Sequence, residues 1–265
     1  YANPTGNNPA GSWYKGRRVG EIWGYRVDGI IQTQAEADQY NSTYNTSYFT
    51  TKPWEPGDLK FRDLNGDKNI NNGKNVLGDM GDVEVIGNTT PRYQYTINGM
   101  VSWKGLSLSL MFQGVGKRDW NPAGNIYFWG SGPYAQVTVF KEHLDYWTKD
   151  NPNAYYPRPY INTAGAVGAH SAKTLRHTTD RYLQSAAYCR LKNITLSYIL
   201  PKHLVKKANL EQVRVFFSGE NLLTFTKLKG MFDPEGVFTQ NDYNKEGGKN
   251  YPMNKVVSFG LTVNL

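Results

Sequence analysis

The last nine residues alternate without a fault. Val257, Phe259, Leu261, Val263 and Leu265 are apolar, while Ser258, Gly260, Thr262 and Asn264 between them are small or polar. A two-residue period puts the first set on one face of a β-strand and the second on the other; a helix would scatter both around its circumference. The same period recurs four times. Leu106, Leu108, Leu110 and Phe112 are set against Ser107, Ser109, Met111 and Gln113. Tyr93, Tyr95, Ile97, Val101 and Trp103 alternate with Gln94, Thr96, Asn98 and Ser102. Ile194, Leu196, Tyr198 and Leu200 alternate with Asn193, Thr195 and Ser197, and Pro201 ends the run. Val213, Val215, Phe217, Leu223 and Phe225 are set against Arg214, Ser218, Glu220 and Thr224. Lys104-Gly105 joins two of the runs as a tight hairpin. The chain is expected to be all-β.

The connections alternate in length. The Lys104-Gly105 turn is followed by a long segment, 117–181, then a modest link, 201–212, then a longer one, 226–255. Short turns at one end and long loops at the other are the plan of an antiparallel transmembrane β-barrel. A strand of about 11 residues, tilted ~40°, rises roughly 28 Å and covers an apolar band of about 25 Å. Tyr93, Trp103, Tyr198 and Phe225 lie near run ends, where interfacial aromatics belong. A soluble sandwich, carbohydrate-binding module or adhesin fits the alternation equally well but has no reason to sort its loops by end. No apolar stretch approaches the ~18 residues of a membrane helix. The mean hydropathy of −0.61 suits either reading. Because about 8 strands are the fewest that close a barrel, five are expected to be part of a larger wall. A chain that opens at Tyr1 rather than Met agrees with this. The final strand should then run toward the periplasm, with the long loops outside.

Residues 1–92 are expected to form an external loop region, and 93–265 to carry the strands and their long loops. Thr33-Gln34-Ala35-Glu36 is a capping box that predicts a short helix from Ala35 to about Tyr44. Phe140, Leu144 and Trp147 recur at helical spacing and predict an amphipathic helix over 137–149, stopped by Asn151-Pro152.

Few residues invite chemistry. Asp63, Asn65, Asp67 and Asn69 put side-chain oxygens at alternate positions of a turning loop, as a hard cation such as calcium requires, and Asp79 or Asp82 folding back would add a ligand. Lys68 and Lys74 stand where a calcium loop of the helix–loop–helix type has Gly and Glu. An Asx-turn loop without metal is the alternative. Trp120, Tyr127, Phe128, Trp129 and Tyr134 crowd one long loop with flat rings that stack on sugar faces or, alternatively, pack on one another. His143, His170, His177 and His203 are scattered, and Cys189, the single cysteine, has no evident base, so no enzymatic activity is expected. The net charge of +8 is spread among turns and strand flanks, which suits lipid phosphates or solvent rather than nucleic acid.

Several stretches in order along nearly the whole chain resemble one family. They are Gly24-Tyr25-Arg26-Val27-Asp28-Gly29-Ile30, Pro56-Gly57-Asp58-Leu59-Lys60-Phe61 leading into Asp63-Leu64-Asn65-Gly66-Asp67, and Val85-Ile86-Gly87-Asn88-Thr89-Thr90-Pro91-Arg92-Tyr93. Further on come Phe112-Gln113-Gly114-Val115, Asn151-Pro152-Asn153-Ala154-Tyr155-Tyr156-Pro157, Arg181-Tyr182-Leu183-Gln184, Leu191-Lys192-Asn193-Ile194-Thr195-Leu196 and Ser218-Gly219-Glu220-Asn221-Leu222. The chain resembles the C-terminal part of SusC/RagA-type TonB-dependent outer-membrane transporters. The resemblance implies a barrel of about 22 strands, with a plug domain and a TonB-contacting segment upstream of this chain. It also implies an outer cap formed by a SusD-like lipoprotein, and import of oligosaccharides or, in some members, peptides across the bacterial outer membrane. Two residues depart from the family pattern: Lys68, where Gly is usual, and Leu265, where an aromatic is usual.

Overall fold

The sheet begins at the hairpin. Lys104 and Gly105 both take positive φ, 46° and 87°, the backbone of a two-residue turn whose twist matches that of the strands it joins. In the computed structural model, which describes residues 6–122, 141–160, 173–237 and 251–265, this turn joins β5 (Arg92–Trp103) to β6 (Leu106–Lys117). Earlier strands are short: β1 (Glu21–Tyr25), β2 (Val27–Ile30), β3 (Leu59–Phe61) and β4 (Val83–Asn88). Two-residue strands β7 (Asp119–Trp120) and β8 (Gln184–Ser185) precede β9 (Tyr188–Ile199), β10 (Gln212–Thr226) and β11 (Val256–Asn264).

All five alternating runs are strands of one antiparallel sheet, in the order β11-β10-β9-β6-β5. Strands of 12 residues at ~3.4 Å each, tilted ~40°, rise about 31 Å. One register shift interrupts the sheet. Met111 pairs with Asn193 and Phe112 with Leu191, so Lys192 is an extra residue in β9. Opposite it, Glu220 pairs with Asn193 and Leu223 with Leu191, and Asn221 sits at φ 53°. This β-bulge realigns both strands at once.

The described residues fall into two compact units. The sheet and its links, 91–119, 185–237 and 251–265, form one. Residues 6–90, 120–122, 141–160 and 173–184 form the other. The second unit pairs β1 with β4 and β2 with β3, each antiparallel with one bulge. Its core is aromatic. Phe49 stacks on Phe61 at 4.8 Å, and Tyr25 and His177 meet both rings edge-on. Trp54 and Tyr40 close the cluster; Trp54 Nε1 donates to Leu59 O (2.9 Å) and Tyr40 OH to Phe61 O (2.9 Å), so no polar atom of either is stranded in the core.

Helix α1 (Gln34–Thr43) begins as its capping box predicts. Thr33 Oγ1 accepts from Glu36 N (3.2 Å), while Glu36 reaches one residue further back, accepting from Gln32 N (2.8 Å). The helix expected over 137–149 is not formed in its described part. Lys141–Leu144 make one 3₁₀ turn, Leu144 is exposed and Trp147 is buried. A backbone alternative wins: Tyr156 N donates to Asp145 O and Trp147 N to Tyr156 O, each at 2.9 Å. Trp147 Nε1 donates to Gln32 Oε1 (2.9 Å), which fixes the ring outside any helix. Phe140 lies outside the described residues. Among the described residues no helix is long and apolar enough to cross a membrane.

Candidate functional site

The register builds a sheet with two unlike faces. On one, cross-strand rows read Leu261–Val215–Tyr198–Leu106–Trp103, then Phe259–Phe217–Leu196–Leu108–Val101, then Val257–Gly219–Ile194–Leu110–Gly99. Past the bulge they continue as Leu223–Leu191–Phe112–Ile97 and Phe225–Cys189–Gly114–Tyr95. This face is apolar across every strand; its exposures run from 6% at Leu191, beside the bulge, to 80% at Phe259, and it is most open along β5 and β11. An apolar area this wide left to water marks a surface that something apolar covers.

The other face is polar. Ser102 and Ser107 hydroxyls meet at 2.8 Å, and Arg214 donates to Ser197 Oγ at 3.0 Å. Near the bulge, Arg190 is buried on this face. Its Nε donates to Thr224 Oγ1 (2.8 Å), Nη1 to Glu235 Oε1 (2.7 Å) and Nη2 to Asp233 Oδ2 (2.8 Å). Lys192 Nζ also pairs with Glu235, at 3.1 Å. Two cations and two carboxylates cancel, and every donor direction of the guanidinium that the cluster uses is charge-assisted. The cluster fixes the segment after β10 against the polar face. Its partners lie 43 and 45 positions apart in sequence, and the one sequence hint was an Arg inside an alternating strand followed by two acids in the next loop.

The Asp-rich loop holds itself together. Asp63 accepts from Gly66 N (2.7 Å) and Lys68 N (2.9 Å), Asn65 Oδ1 from Asp67 N (3.0 Å), and Asp67 Oδ1 from Asn69 N (2.7 Å). These are successive Asx turns. Asp82 does fold back: it is fully buried and accepts from Leu64 N (2.7 Å) and Asn71 N (2.9 Å). Burial pushes its carboxyl up, the two backbone N–H groups pull it down, and the charges of Asp63 and Asp67 push it up again; the net direction is up. The donor chemistry, all oxygen with mutually repelling carboxylates, fits a hard cation. The placement fits less well, because those oxygens point at backbone N–H groups. Among the described residues no three His, Cys, Asp or Glu side chains gather into a metal-sized group. Asn69 Oδ1 accepts from Asn45 Nδ2 (2.9 Å) and so belongs to the seam with the α1 segment.

Of the loop aromatics, Trp120 is 3% exposed and offers no ring face to a ligand. Tyr127, Trp129 and Tyr134 lie outside the described residues.

No protein-family model matches the chain. The TonB-dependent receptor P3 of Formosa agariphila is 29% identical over 257 residues, 94% of this chain and 22% of that protein. The TonB-dependent receptor P26 of the same organism is 28% identical over 217 residues, 80% of this chain and 20% of that protein. The chain thus spans about a fifth of the length of these relatives. Among solved structures, the RagAB peptide importer in its open-open state matches 100% of this chain and 24% of its own, with a TM-score of 0.57 and 23% identity. Over most of its length the chain is similar to TonB-dependent receptors. The closed-closed state of RagAB matches 92% of this chain and 23% of its own, with a TM-score of 0.56. At such identities the likeness to RagAB is one of fold, and it bears out the antiparallel barrel wall expected from the alternation. The motifs quoted from the sequence have packing reasons here. At Gly24 a Cβ would meet Thr178 O at 2.7 Å, and at Gly57, with φ 98°, it would strike Trp147. Arg26 is ion-paired with both Glu84 and Asp180.

Proposed function

We propose that this chain forms part of the barrel wall and outer loops of a TonB-dependent transporter in a bacterial outer membrane. The transporter imports oligosaccharides, works with a SusD-like surface lipoprotein, and is driven by TonB. The observation that carries the reading is the uncovered apolar face running across all five strands, opposite a polar one. Lipid covers the first; the second faces the lumen, where Arg190 and its partners hold a loop. The chain's residues bind and position. Nothing in the reading asks them to break bonds.

A second reading within the same family is peptide import, favoured by the likeness to the RagAB peptide importer. Transport assays of the full-length protein with a labelled oligosaccharide and a labelled peptide separate the two. Membrane placement is tested by reconstituting the full-length protein in vesicles with bromine-labelled acyl chains. Trp103, 68% exposed at the end of the apolar face, should supply a lipid-quenched share of the fluorescence that Trp103→Phe removes. Equal quenching in wild type and variant, or a monodisperse protein without detergent, would overturn the reading.

A further inference from the structure

Helix α1 ends beside the Asp-rich loop, and the two segments are zipped together. Asn45 N donates to Lys68 O (2.8 Å), Ile70 N to Asn45 O (2.9 Å), and Asn45 Nδ2 to Asn69 Oδ1 (2.9 Å). Above this seam opens a pocket of about 630 Å³, bounded by residues 41–47, 50–53, Lys68 and Asn69. That volume falls within the ~300–1,000 Å³ typical of small-molecule sites.

The lining has one chemical character. It is Asn, Ser and Thr, with Tyr44, Pro53 and two lysines, Lys52 and Lys68; among the described residues no carboxylate borders it. Neither lysine is in an ion pair among the described residues, and both are exposed. The floor is rigid. Asn41 is spent on Trp54, accepting from its N (2.8 Å) and donating to its O (2.9 Å), and Trp54 and Phe49 beneath belong to the aromatic core. A wall of amides and hydroxyls with two free ammonium groups suits a ligand that is hydroxyl-rich and negatively charged. It suits an acidic peptide poorly, because no apolar recess receives side chains.

Lys68 sharpens the point. It stands at φ 63°, a left-handed backbone that Gly or Asn takes at lower cost. A lysine there adds strain and weakens the loop's attraction for a cation. Lys68 lines the pocket, which gives the residue a use where it is locally unfavourable.

We propose that this pocket binds an acidic oligosaccharide, with Lys52 and Lys68 engaging its carboxylate or sulfate groups and the Asn, Ser and Thr wall engaging its hydroxyls. The proposal rests on the oligosaccharide reading above and adds the sign of the substrate's charge.

The test is calorimetry on the full-length protein in detergent, with tetragalacturonate as probe, maltotetraose as neutral control and tetraglutamate as acidic peptide control. Tetragalacturonate should bind, and binding should weaken as salt rises. Lys68→Asn and Lys52→Gln should each weaken it about tenfold, or about 1.4 kcal/mol. Asn tolerates the left-handed backbone, so the first variant keeps the fold. Maltotetraose binding as tightly, no binding of tetragalacturonate at millimolar concentration, or indifference to both substitutions would overturn the proposal. Tetraglutamate binding as tightly, with the same lysine dependence, would overturn the carbohydrate assignment. Intact Trp103 quenching beside any of these failures removes the pocket and leaves the membrane reading standing; lost quenching removes the membrane reading itself.

Discussion

Lys173 sets its ammonium 2.9 Å from Asp58 Oδ2, and both side chains are wholly buried. Lys173 Nζ also donates to Pro53 O (2.7 Å), and Tyr160 OH donates to Asp58 Oδ1 (2.5 Å). The pair is satisfied on every side, so removing one member strands the other in a low-dielectric core. Lys173→Met should cost roughly 3–5 kcal/mol, and Lys173→Met with Asp58→Asn distinctly less than the single change. Denaturant unfolding of the full-length protein, followed by a probe on the aromatic core, checks both.

His177 packs edge-on against Tyr25, Phe49 and Phe61. Burial, helped by the neighbouring Arg176 charge, pushes its imidazole down to about 4. The unfolded chain takes up this proton near pH 6.5 and the folded chain does not until about 4. The unfolded state therefore binds more protons between those values, and stability falls as pH drops through that window. The loss is on the order of 3 kcal/mol at its fullest. His177→Phe should flatten this slope of stability against pH between 4 and 6.5, and an unchanged slope would dismiss the histidine as its source.

The two faces of the sheet should respond oppositely to charge. Leu110 lies in the middle apolar row and Ser109 beside it points to the polar face. Leu110→Lys should destabilise the reconstituted protein by about 2–4 kcal/mol, whereas Ser109→Lys should stay within about 1 kcal/mol. Equal costs at the two neighbours would be incompatible with lipid on one face only.

Calcium ligation by Asp63, Asn65 and Asp67, proposed from their spacing, has to compete with the loop's own N–H bonds and with Lys68. Binding is expected in the weak range of extracellular sites, about 10⁻⁴–10⁻³ M. A calcium titration with no heat at millimolar ion removes the metal from the account. Asp82→Ala is the structural counterpart. It leaves the N–H groups of Leu64 and Asn71 unpaired and should cost about 1–3 kcal/mol with or without calcium.

The strands were legible because the two faces of the sheet differ in polarity, and alternation records this directly. All five runs, the Lys104-Gly105 hairpin and the start of α1 could be read from local pattern. The helix over 137–149 could not, because its spacing imitated an amphipathic stripe while Trp147 answered to Gln32, far away in sequence. Trp120 looked like a ligand platform for a related reason: sequence shows a ring but not whether the ring is buried. The ion pairs of Lys173 with Asp58 and of Arg190 with Asp233 and Glu235 join residues whose separation leaves no periodic trace. The pocket beside α1 was equally hidden, since its two walls, 41–53 and 68–69, come from separate segments of the chain; only the odd residue at Lys68 hinted at it.

The extra residue at Lys192 works like a shift of reading frame within a strand. On one side of it the even-numbered Ile194, Leu196 and Tyr198 share the apolar face; on the other the odd-numbered Leu191 and Cys189 do. A regular strand that kept Lys192 without the bulge would turn Arg190 toward the apolar side and Leu191 toward the polar one, whereas a strand lacking Lys192 would hold both on their present faces. Here the bulge decides which face Arg190 meets, and straightening it would matter more than the identity of the residue it carries.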